Sequence, residues 1–341
     1  PVMIIDTPGI DDEGALGELR VKKTRQVLNK TDVAVLIVDA QNGKEPEDIQ
    51  MTTLFEAKKI PYIVVYNKSD LVSQKPALQD NEIFVSAVMK DQIFELKEKI
   101  GKLAVGEEST KRILGDLIKP LDFVVLVTPI DSAAPKGRMI LPQQQAIRDV
   151  LESDATAVVV KEFQLKDTLA SLGKRPSVVV TDSQAFEKVS AETPPDIPLT
   201  SFSILFARYK GDLETVVKGA RALDSIQDGD VILIAEGCTH HRQCDDIGTV
   251  KLPRWIRKYT QKEPNFEFVS GTEFPDDLSR YKLVVHCGAC MLNQREMKYR
   301  LKCAGDQQIP ITNYGISIAY MHGILKRSVA MFPEITVLLE K

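Results

Sequence analysis

The sequence predicts an α/β protein made of three consecutive α/β domains. A length of 341 residues suggests two or three domains, each able to bury its own core. Short apolar runs alternate with helical patterns along the whole chain, as in parallel α/β sheets. The alternation breaks twice, at the polar stretch Gly106-Glu-Glu-Ser-Thr-Lys-Arg112 and at Thr193-Pro-Pro-Asp-Ile-Pro198. The three prolines of the second break cannot continue a helix or a central strand. The expected domains are therefore 1–105, 112–198 and 199–341.

In the first domain the expected strands are Val2–Ile5, Val33–Val38, Tyr62–Tyr66 and Ile83–Val85, with helices near 15–28, 46–58 and 91–104. The chain opens on Pro1-Val-Met-Ile-Ile-Asp6, already inside a strand, and is expected to be a fragment of a longer protein. The second domain carries strands at Asp122–Thr128, Thr156–Val160 and Ser177–Thr181, and helices near 142–152, 164–172 and 182–190. The third begins with helices near 200–209 and 211–223, followed by a strand ending at Cys238 and a helix near 251–260. A strand ending at Cys287, a helix near 293–303, the run Ile309–Thr312 and a helix near 315–327 complete it. No internal repeat of fixed period is visible.

Composition excludes several classes. Hydrophobic residues make up 43% and charged residues 27%, ordinary for a soluble globular chain. A net charge of −4 gives no electrostatic reason to expect nucleic acid or an anionic membrane. No apolar stretch approaches the ~20 residues of a membrane span. Four of the five cysteines cluster with histidines between 238 and 290, which suits a reducing cytoplasm and metal ligation better than disulfides.

Three short motifs carry nucleotide chemistry. Asp6-Thr-Pro-Gly9, Asn67-Lys68-Ser-Asp70 and Ser86-Ala87 each follow an apolar run. A carboxylate at Asp70 can accept two hydrogen bonds from the guanine edge that adenine cannot offer. Asn67 offers an amide toward the far edge of the base, and the Lys68 stem can lie over the ring. Asp6 is placed to hold Mg²⁺ through water, and the Gly9 amide to sense a γ-phosphate. In order and spacing these segments resemble the G3, G4 and G5 motifs of translational-type GTPases, so the first domain is read as a truncated P-loop GTPase-like parallel sheet. The nearest match to a P-loop, Gly17-Glu-Leu-Arg-Val-Lys22-Lys23-Thr24, has a lysine where the second glycine belongs and lies in an amphipathic helix. The P-loop is expected upstream of Pro1, so this fragment should bind and hydrolyse GTP poorly.

The last third holds Cys238-Thr-His240 at the end of one apolar run and His286-Cys287-Gly-Ala-Cys290 at the end of another. Both triplets fall where open α/β sheets bind ligands, at the carboxyl ends of strands. Cys287 and Cys290 alone fit a zinc site, a redox pair or an iron–sulfur site. A gap holding a helix and a strand is unusual for structural zinc. Three thiolates with a weaker fourth ligand fit a 4Fe–4S cluster with one exchangeable iron. Cys244 reads as a bystander, Cys303 as packing and His322 as a core histidine. His241 points away from its neighbour in an extended segment, which favours His240.

A GTPase part, a small middle domain and a C-terminal C-x-H…H-C-x-x-C set together resemble the HydF family, the FeFe-hydrogenase maturation GTPases, over the whole chain. The resemblance implies a GTP-binding scaffold or carrier that holds a 4Fe–4S cluster, accepts a diiron precursor shaped by two radical-SAM maturases, and delivers it to the FeFe-hydrogenase apoprotein. It implies Cys238, Cys287 and Cys290 as cluster ligands and His240 and His286 as the motif histidines. It also implies a homodimer built on the middle domain. The fourth ligand stays open among His240, His286 and a glutamate such as Glu340. The rival reading is a GTP-dependent assembly regulator with a structural zinc site and no cargo.

Overall fold

Two separate units organise the chain, Pro1–Lys111 and Arg112–Lys341. A computed structural model describes residues 3–7, 27–104, 112–130, 139–237, 246–271 and 273–339. Among these, no helix is long and apolar enough to cross a membrane.

The first unit holds strands β1 (Ala34–Asp39), β2 (Tyr62–Asn67) and β3 (Glu82–Phe84), all parallel and in the order β1-β2-β3. Helices α1 (Pro46–Ala57) and α2 (Ile93–Ala104) follow β1 and β3. Proline at the first position starts α1, where its missing N–H costs nothing, and Asp48 accepts from the Glu45 amide. Ile93, Leu96 and Ile100 of α2 pack on buried Ile63, Val65, Ile83 and Val85. The strand expected at Val2–Ile5 is not formed. Residues 3–7 have no regular structure, and Met3 and Ile4 are exposed. A strand needs a hydrogen-bonding neighbour, and none of β1–β3 pairs with this segment. The expected helix near 15–28 and the stretch 106–111 lie largely outside the described residues.

The second unit contains two four-stranded parallel sheets. Strands β4 (Phe123–Val127), β5 (Thr156–Val160), β6 (Val178–Thr181) and β7 (Leu199–Ser201) run in the order β5-β4-β6-β7. Strands β8 (Val231–Ala235), β9 (Asn265–Val269), β10 (Leu283–His286) and β11 (Ile311–Asn313) run in the order β9-β8-β10-β11. In each sheet the order is second, first, third, fourth. The registers also match. Val127 faces Val160 and Thr181, as Ala235 faces Val269 and His286, and Thr181 faces Ser201 as His286 faces Asn313.

The match extends to single hydrogen bonds. Thr128 donates to the Val160 carbonyl at 2.8 Å and Glu236 to that of Val269 at 2.9 Å. Val179 donates to Pro198 and Val284 to Pro310, both at 2.9 Å. Helices α3 (Leu141–Leu151) and α8 (Leu252–Thr260) both open on Leu-Pro after the first strand of their copy. The second unit is therefore a duplicated βα unit. Matching strands are offset unevenly (Phe123 to Val231, but Val178 to Leu283), so no fixed period appears in the sequence.

Helix α4 (Leu165–Ser171) lies between the second and third strands of the first copy, and between the third and fourth lie α5 (Phe186–Glu192) in the first copy and α9 (Gln294–Asp306) in the second. The fourth strand of each copy turns straight into a helix, β7 into α6 (Phe202–Lys210) and β11 into α10 (Tyr314–Met321). The turns are alike: Leu199-Thr-Ser-Phe-Ser-Ile against Ile311-Thr-Asn-Tyr-Gly-Ile. Ser201 caps α6 by accepting from the Ile204 amide at 3.2 Å, and Asn313 caps α10 by accepting from Ile316 at 2.8 Å. The two helices meet at matching positions. A Cβ placed on Gly315 would lie 2.4 Å from the Cβ of Ser203, so only glycine allows this approach. Equivalent residues touching one another mark a local two-fold relation between the copies.

Each helix then ends over the other copy: Lys210 over residues 289–292, and His322 with Nδ1 4.0 Å from Glu187. One continuous core joins the sheets, running from Val124–Val127 and Val178–Val180 to Leu233, Ala235, Val284 and Ile311. Helix α7 (Leu213–Ala220) lies on β11 and links the copies.

Two strands escape the sequence reading. β7 follows the Thr193–Pro198 stretch directly and pairs with β6, so the middle sheet reaches Ser201. β9 is an edge strand with charged Glu267 in its centre. The helix expected at 315–327 breaks at Gly323 (φ +70°) and resumes as α11 (Leu325–Ser328), before the short α12 (Pro333–Thr336). His322 is partly exposed and not a core residue.

Candidate functional site

In open α/β sheets the ligand crevice opens where the strand order reverses. In the second copy that point lies between β8 and β10. Gly237 leaves the first strand there and Cys287 the second. The Gly237 amide donates to Cys287 Sγ at 3.0 Å, and the Ala289 amide donates at 3.4 Å. Glycine is required at 237, since a Cβ would come within 2.7 Å of Leu292. Ala289 takes a left-handed φ of +55°, which costs of order 1 kcal/mol for a residue with a Cβ. That turn brings its amide back to the sulfur. Burial pushes the Cys287 thiol up to about 11, while the two amides pull in the opposite direction. Cys290 is partly buried three residues on, just before the Asn293 cap of α9.

His286 is buried at the end of β10, and both its nitrogens are engaged. Nδ1–H donates to the Cys287 carbonyl at 2.8 Å, which leaves Nε2 to accept from Arg300 Nη1 at 2.9 Å. Burial, with Arg300 beside it, lowers its pKa to about 3, so the ring is neutral. As placed, His286 braces the turn and has no nitrogen left for a metal. Its counterpart in the first copy is Thr181, whose hydroxyl also bonds the next residue's carbonyl, at 3.2 Å to Asp182. Arg300 is fully buried and pairs with Glu296 at 2.8 Å. It also donates to the Gly271 carbonyl at 2.8 Å and stacks 5.0 Å over Phe274.

Lys210 reaches this turn from α6. Its ammonium donates to the carbonyls of Ala289 (3.1 Å), Cys290 (3.0 Å) and Leu292 (2.9 Å). Glu236 is buried beside Gly237, and Tyr314 donates to it at 3.3 Å. A cavity of about 20 Å³ against His286, Cys287 and Lys210 has room for one water.

The donor set suits a soft metal group. Amide donors to sulfur and a nearby ammonium both favour the thiolate form that iron–sulfur ligation needs. Cys238, His240, His241 and Cys244 lie outside the described residues, as does Glu340. Among the described residues, no group of three or more His, Cys, Asp or Glu is arranged to hold a metal ion. Cys303 packs against the core, with its thiol pushed up by burial.

In the first unit, Asn67 and Ala87 are brought together. The Ala87 amide donates to Asn67 Oδ1 at 3.1 Å, and Ser69 donates to the Val85 carbonyl at 3.0 Å. Ser86 turns the chain by accepting from the Met89 amide. Lys68 adopts φ +62° and its ammonium pairs with Asp39, at the end of β1, at 2.7 Å. The Asp70 carboxylate is exposed and bonds no other described residue. Asp6 is exposed and makes no hydrogen bond to these residues, and Gly9 lies outside the described ones.

Sequence reasoning missed Lys210, Glu236, Arg300 and Tyr314. Glu236 carried a usable signal, since a carboxylate closing a buried strand needs a partner. Arg300 had another, four residues after Glu296 on a helix face otherwise apolar. Nothing local marked Lys210, which acts on residues some eighty positions away.

Comparison with known proteins supplies the family. A model of the hydrogen maturase F dimerization domain matches residues 113–211, and one of the tetramerization domain matches 214–331. A 50S ribosome-binding GTPase model matches residues 1–68. The tRNA modification GTPase MnmE of Acetivibrio thermocellus is 36% identical over 84 residues, 24% of this chain and 17% of its own length. That of Alkaliphilus metalliredigens is 31% identical over 112 residues, 32% of this chain and 21% of its own. That of Natranaerobius thermophilus is 26% identical over 165 residues, 48% of this chain and 35% of its own. The chain thus spans well under half the length of these relatives. With both hydrogen maturase F domains in order behind GTPase motifs, the chain belongs to the HydF family of hydrogenase maturation GTPases.

Proposed function

We propose that this protein is the GTP-binding scaffold of FeFe-hydrogenase maturation, holding a 4Fe–4S cluster at Cys238, Cys287 and Cys290. The observation that carries the reading is the Cys287 turn, which sits at the strand-order reversal with two amides aimed at its sulfur. A bound cluster of this kind supplies one exchangeable iron, suited to a cargo that must be taken up and released. The cargo is a diiron precursor, received from two radical-SAM maturases and passed to the hydrogenase apoprotein. His286 orients the turn and keeps its ring away from the metal. His240 is left as a candidate fourth ligand.

In the first unit, Asp70 and Asn67 read guanine, Ser86 and Ala87 close the base pocket, and Asp6 and Gly9 serve Mg²⁺ and the γ-phosphate. GTP hydrolysis acts as the switch of the carrier. The residues matched by the dimerization model form the homodimer, and the setting is a reducing cytoplasm.

Iron, sulfide and zinc analysis with a visible spectrum, on anaerobically purified full-length protein, tests the reading. A brown protein with sulfide matching its iron supports it, and a colourless protein with stoichiometric zinc overturns it. Guanine selectivity has its own test. Asp70→Asn in the full-length protein should weaken GTP binding about tenfold or more, since a charge-assisted bond is worth roughly 1.5–3 kcal/mol. Unchanged affinity would remove Asp70 from the site.

A further inference from the structure

We infer that Lys210 is a positioning residue for the thiol turn, supplied by one copy of the duplicated unit to the other. The inference rests on the cluster reading above but goes beyond it. Lys210 is the last residue of α6, within the stretch matched by the dimerization model, whereas the turn it holds falls in the stretch matched by the tetramerization model. Its three ammonium hydrogens meet three carbonyls, those of Ala289, Cys290 and Leu292, all within 3.1 Å. These carbonyls belong to the segment from the left-handed Ala289 up to the start of α9, whose backbone pairs with no strand among the described residues. The Phe206 ring, one turn earlier on α6, lies 5.4 Å below the ammonium and fixes the side chain from beneath.

Two consequences follow from this placement. The clamp holds the Cys287-to-Cys290 spacing against opening, because releasing the turn strands a charge in a partly buried place. The ammonium also interacts electrostatically with Cys290 and Cys287, favouring whichever state of a thiolate-bound group carries more negative charge. Because α6 also crosses α10 at Ser203 and Gly315, Lys210 is one of several links through which the first copy bears on the thiol turn.

At the matching helix end the reverse contact is weaker. His322, at the matching end of α10, lies 4.0 Å from Glu187 and touches no thiol. Farther along, Arg327 of α11 donates to the carbonyls of Ser190 (2.7 Å), Thr193 (2.6 Å) and Pro194 (2.9 Å) of the first copy, so each copy holds a turn of the other, and Lys210 holds the one that carries the thiols.

Lys210→Gln and Lys210→Arg, in the full-length protein, provide the test. Hydrogen–deuterium exchange over residues 287–292 is compared in metal-free protein, with thermal melting as a check that each variant folds. Loss of the charge-assisted bonds should speed exchange in Lys210→Gln about tenfold, with Lys210→Arg close to the parent. In cluster-loaded protein, an EPR-monitored redox titration should move the Lys210→Gln midpoint to more negative potential, and Lys210→Arg should restore it. Unchanged exchange in a folded Lys210→Gln overturns the clamp. An unchanged midpoint in a loaded variant overturns the electrostatic role. If the parent binds no cluster, the carrier reading fails while the exchange result still decides the clamp.

Discussion

The two copies in the second unit share strand order, register and end-of-strand hydrogen bonds, yet differ where their strand order reverses. The first copy presents Thr128, Asp182 and Ser183 there. The second presents Glu236, Cys287 and Gly288 at the matching positions. The backbone is equivalent even at the reacting position: Asp182 donates to the Val127 carbonyl at 3.3 Å, and Cys287 to that of Ala235 at 2.9 Å. One scaffold thus carries an ordinary polar crevice in one copy and a thiol site in the other. Fold supplies the place, and a few side chains supply the chemistry.

Variants at matched positions of the two copies test this difference. The largest stability effect is expected at Arg300, which has no counterpart in the first copy. Arg300→Met leaves Glu296 buried without its partner and should cost about 3–5 kcal/mol in denaturant unfolding. Adding Glu296→Leu should recover most of the loss. A small effect of Arg300→Met alone would show that the pair is not buried as described.

A middle-sized effect is expected at the crossing of the copies. Gly315→Val forces Ser203 and α6 away from α10 and should cost about 1–3 kcal/mol. It should also raise hydrogen exchange in both sheets. An effect confined to the second copy would refute the two-fold packing.

An effect of similar size is expected from His286→Thr, which installs the residue of the first copy. Thr181 makes the same bond to the following carbonyl, so the variant should lose only about 1–3 kcal/mol, from the unmet Arg300 donor. It should still load iron as the parent does. Loss of iron in a folded His286→Thr would make His286 a ligand.

The α/β class and most elements were legible because period and composition agreed. Runs such as Val178–Thr181 and Leu283–His286 are buried on both faces and announce themselves. Leu199–Ser201 did not, since three residues beside prolines carry no period. The duplication was hidden by unequal loop lengths, and only the hydrogen-bonded registers expose it. In the site, Cys287 and Cys290 stood out by chemistry. The bracing role of His286 did not, because it depends on Arg300, fourteen residues away, and on the comparison with Thr181. Lys210 was silent for the same reason: its function is defined by carbonyls of another segment.

The most direct test of the account compares equivalent positions of the two copies, Cys287→Ala and Asp182→Ala, in anaerobically reconstituted full-length protein. Iron and sulfide are quantified and the reduced samples examined by EPR. Cys287→Ala should lose nearly all cluster signal while Asp182→Ala keeps that of the parent. An intact cluster in Cys287→Ala, or its loss in a folded Asp182→Ala, would contradict it.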